Sequence, residues 1–143
     1  MKKIFFLCTG NSCRSQMAEG WANLLLKHDF KAFSAGTKPG SLDPRAVKVM
    51  AEAGVDISGQ RAKDAEEFND VVFDLVVTVC DQARESCPVW FGKAKKLHKS
   101  FEDPPVLAKE TKSEDEALTY YRRVRDEIRD FIKTLPEIMG ESQ

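Results

Sequence analysis

Ile4-Phe5-Phe6-Leu7-Cys8-Thr9-Gly10-Asn11-Ser12-Cys13-Arg14-Ser15 is the stretch whose reading decides the fold. Residues 4–7 form a short apolar run with the character of a buried strand. From Ser15 the pattern changes, and Met17, Ala18, Trp21, Leu24 and Leu25 recur at helical spacing. Between strand and helix, Cys8 and Arg14 are separated by five residues that include Gly10 and Asn11. A thiol and a guanidinium therefore face each other across a strand–loop–helix junction.

That junction suits a tetrahedral oxyanion. Gly10 lets the backbone turn with its N–H groups inward. Asn11 tolerates a left-handed conformation and can brace the loop from within. The helix that follows aims its positive end at the same point. Arg14 adds a planar fork for two oxyanion oxygens. The expected cradle is Thr9, Gly10, Asn11, Ser12, Cys13 and Arg14, with Cys8 as nucleophile. The same donors are expected to lower the pKa of Cys8. Ser15 is placed to donate to the thiolate or to a sulfur leaving group. Cys13 reads as a small buried hydrophobe at the helix start, with a reserve redox role as the alternative. A Cys-x5-Arg spacing by itself is a weak signal; the bland reading is a buried cysteine and a surface arginine on an ordinary turn.

Working outward, residues 31–35 read as a second strand ending at Gly36, followed by turn chemistry at Lys38-Pro39-Gly40-Ser41. Asp43 is an N-cap with Pro44 at the first helical position, for a helix to Ala53 closed by Gly54. Residues 65–69 suggest a short helix. Residues 73–79 are the strongest strand, apolar enough to be covered on both faces. Residues 96–99 suggest a last strand, and 112–134 a long amphipathic helix. The order β-α-β-α-α-β-β-α predicts one α/β domain over residues 1–143, an open parallel sheet with helices on both faces. Ligands bind such sheets beyond the carboxyl ends of the strands. Cys8 and Cys80 each end a predicted strand and so open onto that face.

The composition is that of an ordinary soluble domain: 143 residues, 42% hydrophobic, 31% charged and net charge -1. Nothing in that balance attracts nucleic acid or anionic lipid. The apolar run after Met1-Lys2-Lys3 stops at Leu7, too short for an export core, and no stretch reaches membrane-spanning length. The expectation is a cytoplasmic monomer. In that compartment the four cysteines, Cys8, Cys13, Cys80 and Cys87, read as catalytic or redox-active; none shows the paired close spacing of a zinc site. The cluster Lys93, Lys95, Lys96, His98 and Lys99 reads as a solvated edge.

From Cys8-Thr9-Gly10-Asn11-Ser12-Cys13-Arg14-Ser15-Gln16-Met17-Ala18-Glu19-Gly20 onward the chain resembles the thioredoxin-coupled arsenate reductases, which share the low-molecular-weight protein tyrosine phosphatase fold. The likeness continues through Phe33-Ser34-Ala35-Gly36, Leu75-Val76-Val77-Thr78-Val79-Cys80, Phe101-Glu102-Asp103-Pro104 and Arg122-Arg123-Val124-Arg125-Asp126-Glu127-Ile128. The resemblance implies a four-stranded sheet of order 2-1-3-4. It implies that Cys8 attacks arsenate, with phosphate or sulfate as analogues, and that Asp103 is the general acid for the departing oxygen. On sequence alone Asp103-Pro104 is only a turn. It implies no tightly bound cofactor, with thioredoxin as reductant. Some members hold potassium on residues matching Asn11, Glu19 and Ser34. Their acidic fourth ligand falls at Lys63 here, although a shift of one residue would bring in Asp64. With Lys63 in that place its ammonium replaces the metal, and no potassium is needed.

The fold does not choose between phosphatase and reductase. Cys80 and Cys87 do. The segment between them reads as a short helix ended by Pro88, and seven helical residues rise roughly 10.5 Å. A disulfide needs Cα atoms within about 7 Å, so the two thiols meet only if that helix yields. In the implied relay Cys80 attacks the Cys8 sulfur, Cys87 then attacks Cys80, and thioredoxin reduces the Cys80–Cys87 disulfide. The alternative is two unrelated thiols near a strand end. Against a tyrosine phosphatase, Pro105-Val106-Leu107 follows Asp103-Pro104 with no aromatic to wall a phenyl ring. The remaining alternative is an oxyanion-binding thiol sensor.

Overall fold

β1 (Lys2–Cys8) runs through the middle of a parallel four-stranded sheet, in a computed structural model that describes residues 1–80 and 94–140. Its neighbours are β2 (Phe30–Gly36) and β3 (Leu75–Thr78), and β4 (Lys95–His98) lies beyond β3. The order is β2-β1-β3-β4, the 2-1-3-4 arrangement expected. Register pairs Cys8 with Gly36 and Leu7 with Thr78, which brings the ends of three strands to one edge. Successive strand residues face opposite sides, and Ile4, Phe5, Phe6 and Leu7 all have zero exposure, so β1 is covered on both faces. One face carries an aromatic cluster in which Phe5 meets Phe73 at 4.7 Å and Phe68 at 5.4 Å. β4 is the edge strand, with Lys95 and Lys96 exposed, the solvated edge that its lysines suggest.

Among the described residues the helices are α1 (Arg14–Leu25), α2 (Pro44–Glu52), α3 (Pro104–Ala108), α4 (Glu114–Ile132) and α5 (Leu135–Ile138). α4 is the hub. It packs on α1, α2 and α3 through buried Ala117, Leu118, Tyr121, Val124, Ile128 and Ile132. Trp21 is core, and its indole N–H donates to the Arg125 carbonyl at 3.1 Å. Asp43 caps α2 as expected, accepting from Arg45 N at 2.9 Å, and Gly54 follows with φ 84°. Residues 65–68 are a 3-10 turn closed by a reciprocal cap between Asp64 and Glu67.

Two elements differ from the sequence reading. Asp103-Pro104 is the start of α3 rather than a plain turn, and α5 was not expected. Each is about one turn long, too short to show a helical period. Each also carries a proline in its first turn, where the fixed φ suits a helix start. The helix expected over 81–86 lies outside the described residues, as do Cys87 and Lys93. Among the described residues no helix is long and apolar enough to cross a membrane.

Candidate active site

The loop between β1 and α1 is held from outside by its carbonyls. Thr37 N–H donates to Cys8 O at 3.1 Å, Lys38 N–H to Thr9 O at 2.9 Å, Gly40 N–H to Gly10 O at 2.9 Å and Asp43 N–H to Ser12 O at 2.9 Å. In a trans peptide each carbonyl opposes the next residue's N–H, and no described peptide is cis. The N–H groups of Thr9, Gly10, Asn11 and Cys13 therefore point away from that strap, toward the loop's hollow. The strap sits close because residue 36 is glycine. A Cβ there would lie 2.3 Å from Thr9 O.

Asn11, not Gly10, makes the turn: its φ is 49°, and Gly10 has no left-handed backbone. The Asn11 side chain is fully buried and fully used. Its amide donates to Ser15 Oγ at 2.7 Å and Ser34 Oγ at 3.0 Å. Its carbonyl accepts from Lys63 N at 2.9 Å and Gln16 Nε2 at 3.0 Å. Ser34 passes the network on, donating to Glu19 Oε1 at 2.6 Å. Lys63 Nζ lies 3.4 Å from the same carboxylate oxygen and donates to Arg61 O at 2.8 Å. Asn11, Glu19, Ser34 and Lys63 thus form one cluster, with an ammonium among them. Asp64 instead caps the 3-10 turn, accepting from Glu66 N at 2.9 Å.

On the inner side, Cys8, Thr9, Gly10, Ser12, Cys13, Arg14, Cys80, Asp103 and Pro105 line a pocket of 370 Å³. Cys13 precedes the first residue of α1 and offers no side-chain cap, so the helix's first N–H groups stay available there. Arg14 donates from Nη1 to Phe101 O at 2.9 Å, and its Nη2 is 3.5 Å from Asp103 Oδ2. Asp103 caps nothing with its side chain, which is one-third exposed toward the pocket. Ser15 is buried behind the loop.

Among the described residues the thiols of Cys8, Cys13 and Cys80 meet at this pocket, and each is buried. Thr9 Oγ1 is 3.4 Å from Cys80 Sγ. A hydrogen bond with Cys80, and then burial, push the Cys8 thiol well above its ordinary value; Arg14 and the Thr9 N–H oppose this without prevailing. This reverses the expected lowering of Cys8. The physical reason is the second thiol: two buried sulfurs sharing a proton ionise as a pair, and the second charge is costly. Cys13 is also pushed up, by burial and then by the charges of Asp43 and Asp103. It lies in the loop and the pocket wall at once.

Several supporting groups had no signal of their own in the sequence. Gln16 Nε2 bridges Asn11 O at 2.9 Å and Arg61 O at 2.7 Å, and Gln60 reaches back to Gln16 Oε1 at 2.7 Å. Arg14 rests on a backbone carbonyl, which no residue type announces. Gln16 directly follows the motif, and that position was the one available hint.

A cradle of inward N–H groups, a guanidinium, a cysteine at a strand end and a carboxylate across the pocket define a thiol-based oxyanion site on a parallel sheet. The chain belongs to the low molecular weight phosphotyrosine protein phosphatase family, whose sequence model matches residues 3–142. It is 46% identical over 138 residues to an arsenate reductase of Bacillus subtilis (strain 168), covering 95% of this chain and 96% of that one. An arsenate reductase solved in its phosphate-binding state aligns with a TM-score of 0.82 at 32% identity, over 97% of this chain and 99% of that chain. A low molecular weight protein tyrosine phosphatase from T. tengcongensis aligns with a TM-score of 0.75 at 30% identity, over 96% and 99%.

Proposed function

We propose that this chain is an arsenate reductase working by a three-thiol relay. The observation that carries the reading is that Cys80 stands with Cys8 in the wall of the same anion pocket, its sulfur 3.4 Å from the Thr9 hydroxyl that adjoins the nucleophile. Hydrolysis of a phosphate ester has no use for a second thiol against its nucleophile. Reduction requires one. Relatives named arsenate reductase, matched over nearly their whole length, support the same choice. So does the pocket wall, where Pro105 follows the acid loop and, among the described residues, no aromatic ring lines the cavity.

In this reading the loop N–H groups and Arg14 hold arsenate. The Cys8 sulfur bonds to arsenic, and Asp103 delivers a proton to the departing oxygen, because oxide leaves poorly without one. Cys80 as thiolate then attacks the Cys8 sulfur. The sulfur–arsenic bond breaks with its electron pair going to arsenic, which leaves as arsenite, and a Cys8–Cys80 disulfide forms. Cys87 attacks Cys80, releasing Cys8 thiolate and leaving a Cys80–Cys87 disulfide for thioredoxin to reduce. Arg14 already touches Asp103, so anion binding and the acid share one partner. Lys63 stands in for the cation that the Asn11, Glu19 and Ser34 cluster would otherwise hold, and the enzyme acts without potassium as a cytoplasmic monomer. Aryl-phosphate hydrolysis is a side activity of the same pocket.

The test is arsenite formation from arsenate with thioredoxin, thioredoxin reductase and NADPH. One NADPH consumed per arsenite is expected. NADPH consumption without arsenite, or no turnover beside ready hydrolysis of aryl phosphate, would overturn the assignment.

A further inference from the structure

A carboxylate sits directly behind the anion loop. Asp43 donates its own N–H to Ser12 O at 2.9 Å, and its charge reaches Cys13 in the pocket wall. A negative charge there opposes an incoming oxyanion. It is retained because Asp43 caps α2, with Oδ1 accepting from Arg45 N at 2.9 Å. The other oxygen, Oδ2, accepts from the Tyr121 hydroxyl at 2.6 Å. Tyr121 comes from the middle of α4 and is 1% exposed. Arg45 stacks over its ring, 6.0 Å from the centroid, and is itself held by Glu114 at 2.8 Å.

We propose that Tyr121 is a positioning residue for the oxyanion site, acting through Asp43. Its O–H draws off part of the field of the Asp43 carboxylate, whose own N–H holds the Ser12 carbonyl. That carbonyl in turn sets the direction of the Cys13 N–H. Burial, and then Asp43, push the tyrosine well above its ordinary pKa, so it stays a proton donor. α4 is thereby wired to the loop by two hydrogen bonds, and oxyanion affinity is set from a helix that does not line the pocket. The inference rests on the pocket binding oxyanions at all.

The test is a double-mutant cycle on inorganic phosphate binding, read by calorimetry at low salt. Asp43→Asn keeps the cap and the backbone donor but removes the charge, and is expected to tighten phosphate about fivefold. Tyr121→Phe is expected to weaken it about threefold, with the loss shrinking as salt is raised. In the Asp43→Asn background the same tyrosine change should have little effect, because the field it screens is gone. An equal loss in both backgrounds would assign Tyr121 a merely structural part and overturn the proposal. Asp43→Asn without tighter binding would also overturn it, even if Tyr121→Phe does not fold. No phosphate binding by the unaltered chain would instead remove the oxyanion reading, and this inference with it.

Discussion

Asn11→Ala should unfold the site from inside, and its cost follows from its partners. The change leaves the buried Lys63 N–H, now bonded at 2.9 Å, with no acceptor. An orphaned buried N–H costs about 1–3 kcal/mol. Gln16 Nε2 loses one acceptor but keeps Asn11 O at 2.9 Å and Arg61 O at 2.7 Å, so it adds little. Ser34 still donates to Glu19 at 2.6 Å but, like Ser15, loses the amide that donated to it. Those two bonds contribute about 1 kcal/mol each at most. Alanine at φ 49° adds about 1 kcal/mol of backbone strain. The total is about 2–6 kcal/mol, a large part of the roughly 5–15 kcal/mol that holds a domain. Urea unfolding of the variant should show that loss, and phosphate affinity should fall at least about tenfold as the cradle loosens. Asn11→Gly should recover about 1 kcal/mol, since only the strain is removed. A loss below about 1 kcal/mol for Asn11→Ala would refute the hub, because the Lys63 N–H alone should exceed it.

Gly36→Ala places a methyl 2.3 Å from Thr9 O, so phosphate binding should drop sharply while the far edge of the sheet keeps its amide exchange protection. Unchanged affinity would mean the strap can retreat at no cost. Replacing sodium with potassium should leave turnover of the unaltered chain unchanged, whereas Lys63→Asp should make it potassium-responsive; severalfold activation of the unaltered chain would contradict the ammonium's role. Native Cys13 keeps its proton above its ordinary value of 9.0 while the unfolded chain releases it. Its contribution is therefore intact below about pH 9 and lost as pH rises further, at about 1.4 kcal/mol per unit. Denaturant titrations from pH 8 to 10.5 should show a shallower decline for Cys13→Ala; identical slopes would disprove the shift.

The fold was legible because its signals are local and redundant. A fully apolar run at residues 4–7, the Asp43-Pro44 helix start and the long period of residues 112–134 each name one element, and parallel crossovers leave few ways to assemble them. The ingredients of the site were legible too, since thiol, Asn, Arg and helix start lie within nine residues. Their energetics were not. The loop's donors argued for an acidic Cys8, but Cys80, seventy-two residues later, sets the opposite direction. Nor did sequence show that Asn11 rather than Gly10 carries the turn, because either residue tolerates a left-handed backbone. Tyr121 looked like one more core residue of an amphipathic helix. Its 2.6 Å bond to Asp43 connects it to the loop. Short elements begun by proline, such as α3, escape any reading by period.

The most direct test of a reductase over a hydrolase is Cys87→Ser, assayed on both substrates. The account predicts that arsenate turnover with thioredoxin, thioredoxin reductase and NADPH stops after one arsenite per chain, while aryl-phosphate hydrolysis continues at the unaltered rate. Sustained arsenate turnover, or equal loss of both activities, would contradict it.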